Sequence, residues 1–414
     1  MDFDNLPHHI LLEIMMYVSI QDRIENVRLV SSWWASVAED SLRRQRKLTW
    51  IDHILTIMNM KINPTDHHSV IIGSCGFRPK SHFGNDKVRY WSHILSLCPN
   101  IEQLEVHDCG NESVMELLHL MYSHNIKLKS FTYREIYLTE WPFPLEILES
   151  LAVGKVSDKL LIKIMDEATN LKHLELMDCN NWRTFPCGLL SVKFQEYHAN
   201  EKLPKLMNSP ASDTIESLEK IYFDEEFDPQ TKIFPKLRHV SFEIRLVEER
   251  CLESCHNLIT FLAEKIPLLD SLALHFKGFE GTVENLFSIP QFVDVLRRLK
   301  KLNIYIGDQS TSVNFLNILR ACQITKLFIA DFDCFGEVND LLSFLVDMSG
   351  NIKHFTSYFR GVKVSDLDTI RQLHTSHEIV LSVYDDDFSQ LDIENFVTEE
   401  DRQKEVVDMI ITAK

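Results

Sequence analysis

The chain has 414 residues, 45% of them hydrophobic and 25% charged, which is the composition of a globular protein with room for two or three ordinary domains. Its 61 carboxylates against 43 Lys and Arg leave a formal charge of -18. That balance argues against binding to nucleic acid or to an anionic membrane, both of which rest on neutralising phosphate.

Nine cysteines, an odd and scattered set, read as reduced thiols, and neither a long apolar run nor a basic leader is present. The expected location is therefore cytoplasmic and/or nuclear. GxGxxG, GxxxxGKS, HExxH and GxSxG are all absent, so the sequence offers no catalytic signature and no reason to expect a cofactor. Cys251, Cys255 and His256 share helical spacing but lack a second ligand pair, and no metal site is expected.

In chain order, the first element is LPHHILLEIMMYV at 6–18, where Glu13 is the only residue between Ile10 and Val18 that is not apolar. A helix so nearly apolar all round must be covered on more than one side. Pro7 suits its first turn, where the missing N–H is not needed. Next comes SIQDRIENVRLVSSWWASVAED, with Ser19 and Asp22 as candidate caps. There Ile24, Val27, Val30, Trp34 and Val37 follow helical spacing, and Trp33 falls about 100° off that stripe.

The ordered positions Leu6-Pro7, Ile10-Leu11, Ile14, Tyr17-Val18, Asp22-Arg23, Leu29-Val30 and a tryptophan resemble the F-box, over residues 4 to about 48. Ser31 stands where that family often has cysteine, and the spacer before Leu29-Val30 is one residue longer. Trp33 and Trp34 are thus both open as the pattern's tryptophan, with helical phasing favouring Trp34. The resemblance implies three short helices over 1–48 that bind a Skp-type adaptor and, through it, a cullin-based ubiquitin ligase. It implies adaptor contacts drawn from Leu6, Pro7, Ile10, Leu11, Ile14, Val18, Val30 and Trp34.

After a connecting segment and first irregular repeat at 49–86, the chain repeats itself. LCPNIEQLEVHDC and EATNLKHLELMDC both carry L-x-x-L-x-L followed by Cys109 or Cys179, the leucine-rich-repeat pattern. Central apolar residues recur at Leu104, Phe131, Leu151, Leu174, Val192, Ile221, Val240, Leu272, Leu302, Leu327 and Phe355. Helical patterns such as Val88–Trp91–Leu95–Cys98 and Val338–Leu341–Leu342–Leu345–Met348 precede most of them. The expected fold is α/β, a leucine-rich-repeat solenoid over 87–397 with a parallel sheet inside and helices outside, following a small all-α F-box. Val70–Ile72 and 379–384 are candidate ends of the stack, and 203–213 and 224–234 read as surface loops. TEEDRQKEVVDMII reads as a capping helix over 398–414, N-capped by Thr398.

Residues flanking the central positions should lie on the open face of the sheet. Lys220, His239, Lys301, Lys326 and His354 place basic groups there, with Tyr305, Phe328 and Tyr358 nearby, a surface suited to an unknown acidic or phosphorylated target. The resemblance thus favours the target-receiving subunit of an SCF-type ligase. A repeat scaffold that binds proteins outside any ligase is the alternative.

Overall fold

A computed structural model describes residues 6–44, 49–50, 67–72, 91–96, 98–107, 109–178, 185–194, 205–223, 232–244, 251–277, 286–287, 289–305, 314–330, 338–348, 351–360, 378–384, 397–401 and 406–411, with a few positions between 54 and 61. The chain divides into two compact units, Met1–Gly188 and Leu189–Lys414.

The first unit opens with three helices, α1 (His8–Met15), α2 (Ile20–Glu25) and α3 (Ser32–Arg43). Hydroxyl caps set two of the boundaries: Ser19 Oγ accepts from the Asp22 amide at 3.0 Å, and Ser31 Oγ from the Trp34 amide at 3.2 Å. The stripe Ile24–Val27–Val30–Trp34–Val37 therefore crosses a break, a 3-10 turn at Val27–Leu29, instead of following one continuous helix.

Strands β1 (Thr49–Trp50), β2 (Ser69–Ile72), β3 (Gln103–Val106), β4 (Ser130–Leu138), β5 (Ser150–Val156) and β6 (His173–Asp178) follow, each paired in parallel with the next. The second unit holds β7 (Ser191–Phe194), β8 (Ser217–Phe223), β9 (His239–Ile244), β10 (Ser271–Phe276), β11 (Lys301–Tyr305), β12 (Lys326–Ala330), β13 (His354–Arg360) and β14 (Glu378–Tyr384), again parallel in sequence order. Parallel neighbours need a crossover, and helices supply several, including Asn111–Ser123, Asp158–Glu167, Cys251–Thr260 and Val338–Met348.

One backbone feature marks equivalent positions. The carbonyl two residues before most central residues accepts two amides from the following coil. His68 O takes Glu102 and Gln103, Glu102 O takes Lys129 and Ser130, and Asp270 O takes Lys300 and Lys301 at 2.8 and 3.1 Å. Successive central residues pair directly: Val70 with Leu104, Leu104 with Phe131, Leu272 with Leu302, Leu302 with Leu327, Leu327 with Phe355. These central side chains are buried, as are Phe292, Val295 and Leu296 on the helix before β11, so strand and helix share one core. The arrangement within each unit is α/β and solenoid-like.

Three expectations are corrected. Ile221 is not a central residue: Val192 pairs with Leu218, which pairs with Val240, and Glu216 and Ser217 both donate to Leu190 O. A bulge between Leu218 and Ile221 adds residues to β8, and this hid the register in the sequence. Residues 203–213 are not a polar excursion, since Leu206, Met207 and Ala211 are buried and Pro210–Asp213 forms a 3-10 turn. At the end of the chain, the described residues within 398–414 are strands where a helix was expected. β15 (Val397–Asp401) and β16 (Val406–Ile411) are antiparallel strands, and β16 pairs with β14. β-Branched Val406, Val407, Ile410 and Ile411 suit a strand, and the edge of β14 offers a ladder that an isolated helix lacks. Cys179, 224–231 and the side chain of Tyr358 lie outside the described residues.

Candidate functional site

Two surfaces hold the residues singled out in the sequence. In the helical domain, Leu11 and Met15 on α1 pack against Val37 on α3, joined by Leu6, Leu12, Val18, Val27 and Trp34. A second cluster, Leu42 and Ile57 with Ile20, Ile24 and Met60, ties α2 and α3 to the segment after them. Arg23 is buried and donates through Nη1 to Ser41 Oγ at 3.3 Å, fastening α2 to α3; burial pushes its pKa down.

Six further apolar side chains of this domain reach solvent. Ile10, Ile14 and Trp33 are each about two-fifths exposed, Val30 is 66% exposed, Leu29 82% and Tyr17 89%. Of the residues the F-box resemblance assigned to the adaptor, Ile10, Ile14, Val30 and Pro7 are thus surface residues. Leu11 belongs to the interior, and Leu6, Val18 and Trp34 pack on it. Tyr17, Leu29 and Trp33 were not among the assigned residues. Tyr17-Val18 and Leu29-Val30 were already part of the family pattern, but spacing could not tell that Val18 alone of these four packs inward. Trp33 takes its place through His8, whose ring meets the indole edge-on at 5.3 Å while Nε2 lies 3.2 Å from Asp40 Oδ2.

The second surface is the open face of β9–β13. By register Ser271, Lys301, Lys326 and His354 form one row across β10–β13, with Glu378 next in line on β14. Lys301, Lys326 and His354 are exposed. His239 precedes the row and is half-buried, with Nδ1 2.8 Å from Ser271 Oγ and its pKa pushed down mainly by burial. Lys220 leaves the row. It sits in the β8 bulge with φ 55, while Ser217 occupies the equivalent position.

Further along the strands Tyr305 stacks on His275, ring centroids 3.8 Å apart and planes 12° from parallel, and meets Phe328 at 4.8 Å. The contact with Phe328 is diagonal, because the residue directly opposite Tyr305 is the small Ala330. His275 was missed in the sequence, although it holds the same offset from Leu272 that Tyr305 holds from Leu302. Burial pushes its pKa down to about 4, helped by Lys220 and Lys277 and opposed by Glu243, so at neutral pH it is an uncharged aromatic.

Among the described residues no group of His, Cys, Asp and Glu is arranged to hold a metal ion, and no helix is long and apolar enough to cross a membrane. An opening beside the Asn111–Ser123 helix is bounded by Trp91, Glu116, His119 and Glu140, where His119 Nε2 lies 2.8 Å from Glu140 Oε1.

No curated protein matches the chain's sequence. The F-box-like family model matches residues 3–49, the three helices whose exposed apolar side chains are described above, and these residues form an F-box-like domain.

Proposed function

We propose that the chain is the target-receiving subunit of an SCF-type ubiquitin ligase. Its F-box-like domain docks on a Skp-type adaptor and through it on cullin, and the repeated strand–helix units, read as irregular leucine-rich repeats, hold a target protein. The chain does no chemistry itself. It raises the local concentration of target lysines near the ubiquitin donor, in the cytoplasm and/or nucleus.

The observation carrying this reading is the exposed set Ile10, Ile14, Tyr17, Leu29, Val30 and Trp33 on a domain whose own core is already filled by Leu11, Met15 and Val37. Covering each large aliphatic side chain contributes about 1.5 to 3 kcal/mol, so several together support a stable complex.

The test is capture of adaptor and cullin by the full chain carrying Ile14→Asp and Leu29→Asp. Loss of both proteins with an unchanged melting temperature is expected, since each carboxylate would be stranded in a dry interface. Undiminished capture of the adaptor sinks the reading. Capture of adaptor but never of cullin by the unaltered chain would favour a scaffold acting outside a ligase.

A further inference from the structure

Along the strand entries of both units, charges on neighbouring coils alternate and pair. Glu102 meets Lys129 at 2.7 Å, Glu149 meets Lys172 at 2.9 Å, and Arg238 meets Asp270 at 3.4 Å. One residue further on, in β11 and β12, this rule is broken. Lys301 and Lys326 are directly opposite each other with no acid between them, and His354 follows on the next strand. Neighbouring strands lie about 4.8 Å apart, and like charges directly opposite are destabilising. Asp270, which precedes the row, is taken up by Arg238.

Beside these cations lies apolar surface. Phe328 is two residues along β12 from Lys326, and Tyr305 four along β11 from Lys301, or roughly 7 and 13 Å at the rise of a strand. An extended peptide shows side chains on one side every two residues, so its spacing matches both intervals.

We propose that this face of the second unit binds an extended acidic segment of the target protein, with carboxylates at Lys301 and Lys326 and an apolar or aromatic side chain on the Tyr305–Phe328 rings. The inference rests on the reading of the repeats as the target-receiving surface and gives that surface its chemistry. The uncharged His275 supports Tyr305 from behind as a third ring of the platform. Two lysines act as point charges suited to separate carboxylates, whereas an arginine fork, which grips phosphate through two bonds, is missing from the row.

The experiment pans a random dodecapeptide display library on the full chain and measures selected peptides by fluorescence anisotropy. Selected sequences should carry Asp or Glu followed or preceded, two or four residues away, by Phe, Tyr, Leu or Ile. Replacing their acids with Gln or Asn, or the protein's lysines by Lys301→Gln and Lys326→Gln, should weaken binding by about tenfold or more. Phe328→Ala should weaken it by a similar factor, and affinity should fall as salt rises. The proposal is overturned if no peptide is enriched, if enriched peptides lack acids, if the double Gln variant binds them as the unaltered chain does, or if phosphoserine in place of Glu binds more than about tenfold tighter. Adaptor capture is read on the same preparations. Peptide binding without adaptor capture would sink the ligase reading alone, and the reverse result would sink this one alone.

Discussion

Trp33 and Trp34 are adjacent in sequence and opposite in surroundings. Trp34 packs on Leu11, Met15 and Val37, while Trp33 stands at the surface against His8. Truncating a buried aromatic costs about 3 to 5 kcal/mol, and Trp34, only partly covered, belongs at the lower end of that range. Trp34→Ala should therefore lower the melting temperature, whereas Trp33→Ala should melt as the unaltered chain does and lose about tenfold or more in adaptor affinity. Thermal melts and binding isotherms on both variants decide it, and reversed roles would refute the division of the two indoles. Leu11 and Ile14 divide in the same way, so a carboxylate at Leu11 would test folding and one at Ile14 would test docking.

His275 gives a second expectation at this scale. Its pKa is about 4 in the fold against 6.5 unperturbed, so as pH falls the unfolded chain takes up this proton first. Stability from this residue is present above about pH 6.5 and is lost as pH falls through about 4; His239, also pushed down by burial, adds in the same direction. The chain should melt lower at pH 5 than at pH 7, and His275→Gln should narrow that gap. An unchanged gap would show that the ring titrates alike in both states.

Among the elements, the bulges carry information that periodicity does not. In β4 the register slips between Tyr133 and Tyr137, and the chain there folds over Gly154 of β5. A Cβ at 154 would fall on the Arg134 carbonyl oxygen, closer than real Cβ contacts, and 2.9 Å from the Ile136 carbonyl oxygen. Both are backbone atoms that no rotamer change can move. Gly154→Ala should cost about 1 to 3 kcal/mol, read as a lower melting temperature, and a variant that melts unchanged would show that this bulge yields. Nearby, Arg134 holds Glu175 through Nε and Nη2 at 3.0 and 3.1 Å, which raises its pKa and spans β4 to β6. The β8 bulge displaces Lys220 from the row in which Lys301 and Lys326 stand. At the end of the chain, Val406, Val407, Ile410 and Ile411 fit either a helix face or a strand, and pairing with β14 decided between them.

At the scale of the molecule, the F-box-like domain is not a detachable bead. Leu42 of α3 shares a fully buried cluster with Ile57, beyond the matched residues. Deleting the first fifty or so residues would remove Leu42, Ile20 and Ile24 and uncover Ile57, so surface substitutions such as Ile14→Asp separate adaptor binding from folding better than deletion does. The sequence by itself determined the short helices, the family resemblance of residues 4 to about 48 and ten of the eleven central positions between Leu104 and Phe355. Those features are local or strictly periodic, and hydroxyl caps and apolar spacing are written in neighbouring residues. Helical phasing already favoured Trp34 over Trp33 as the inward indole. Only the tertiary structure decided which of Leu11 and Ile14 faces inward, where Leu218 replaces Ile221, and what the last strands pair with. Each of those outcomes depends on a partner distant in sequence, whether a facing helix, the register of a neighbouring coil or an unfilled strand edge, and local spacing carries no record of it.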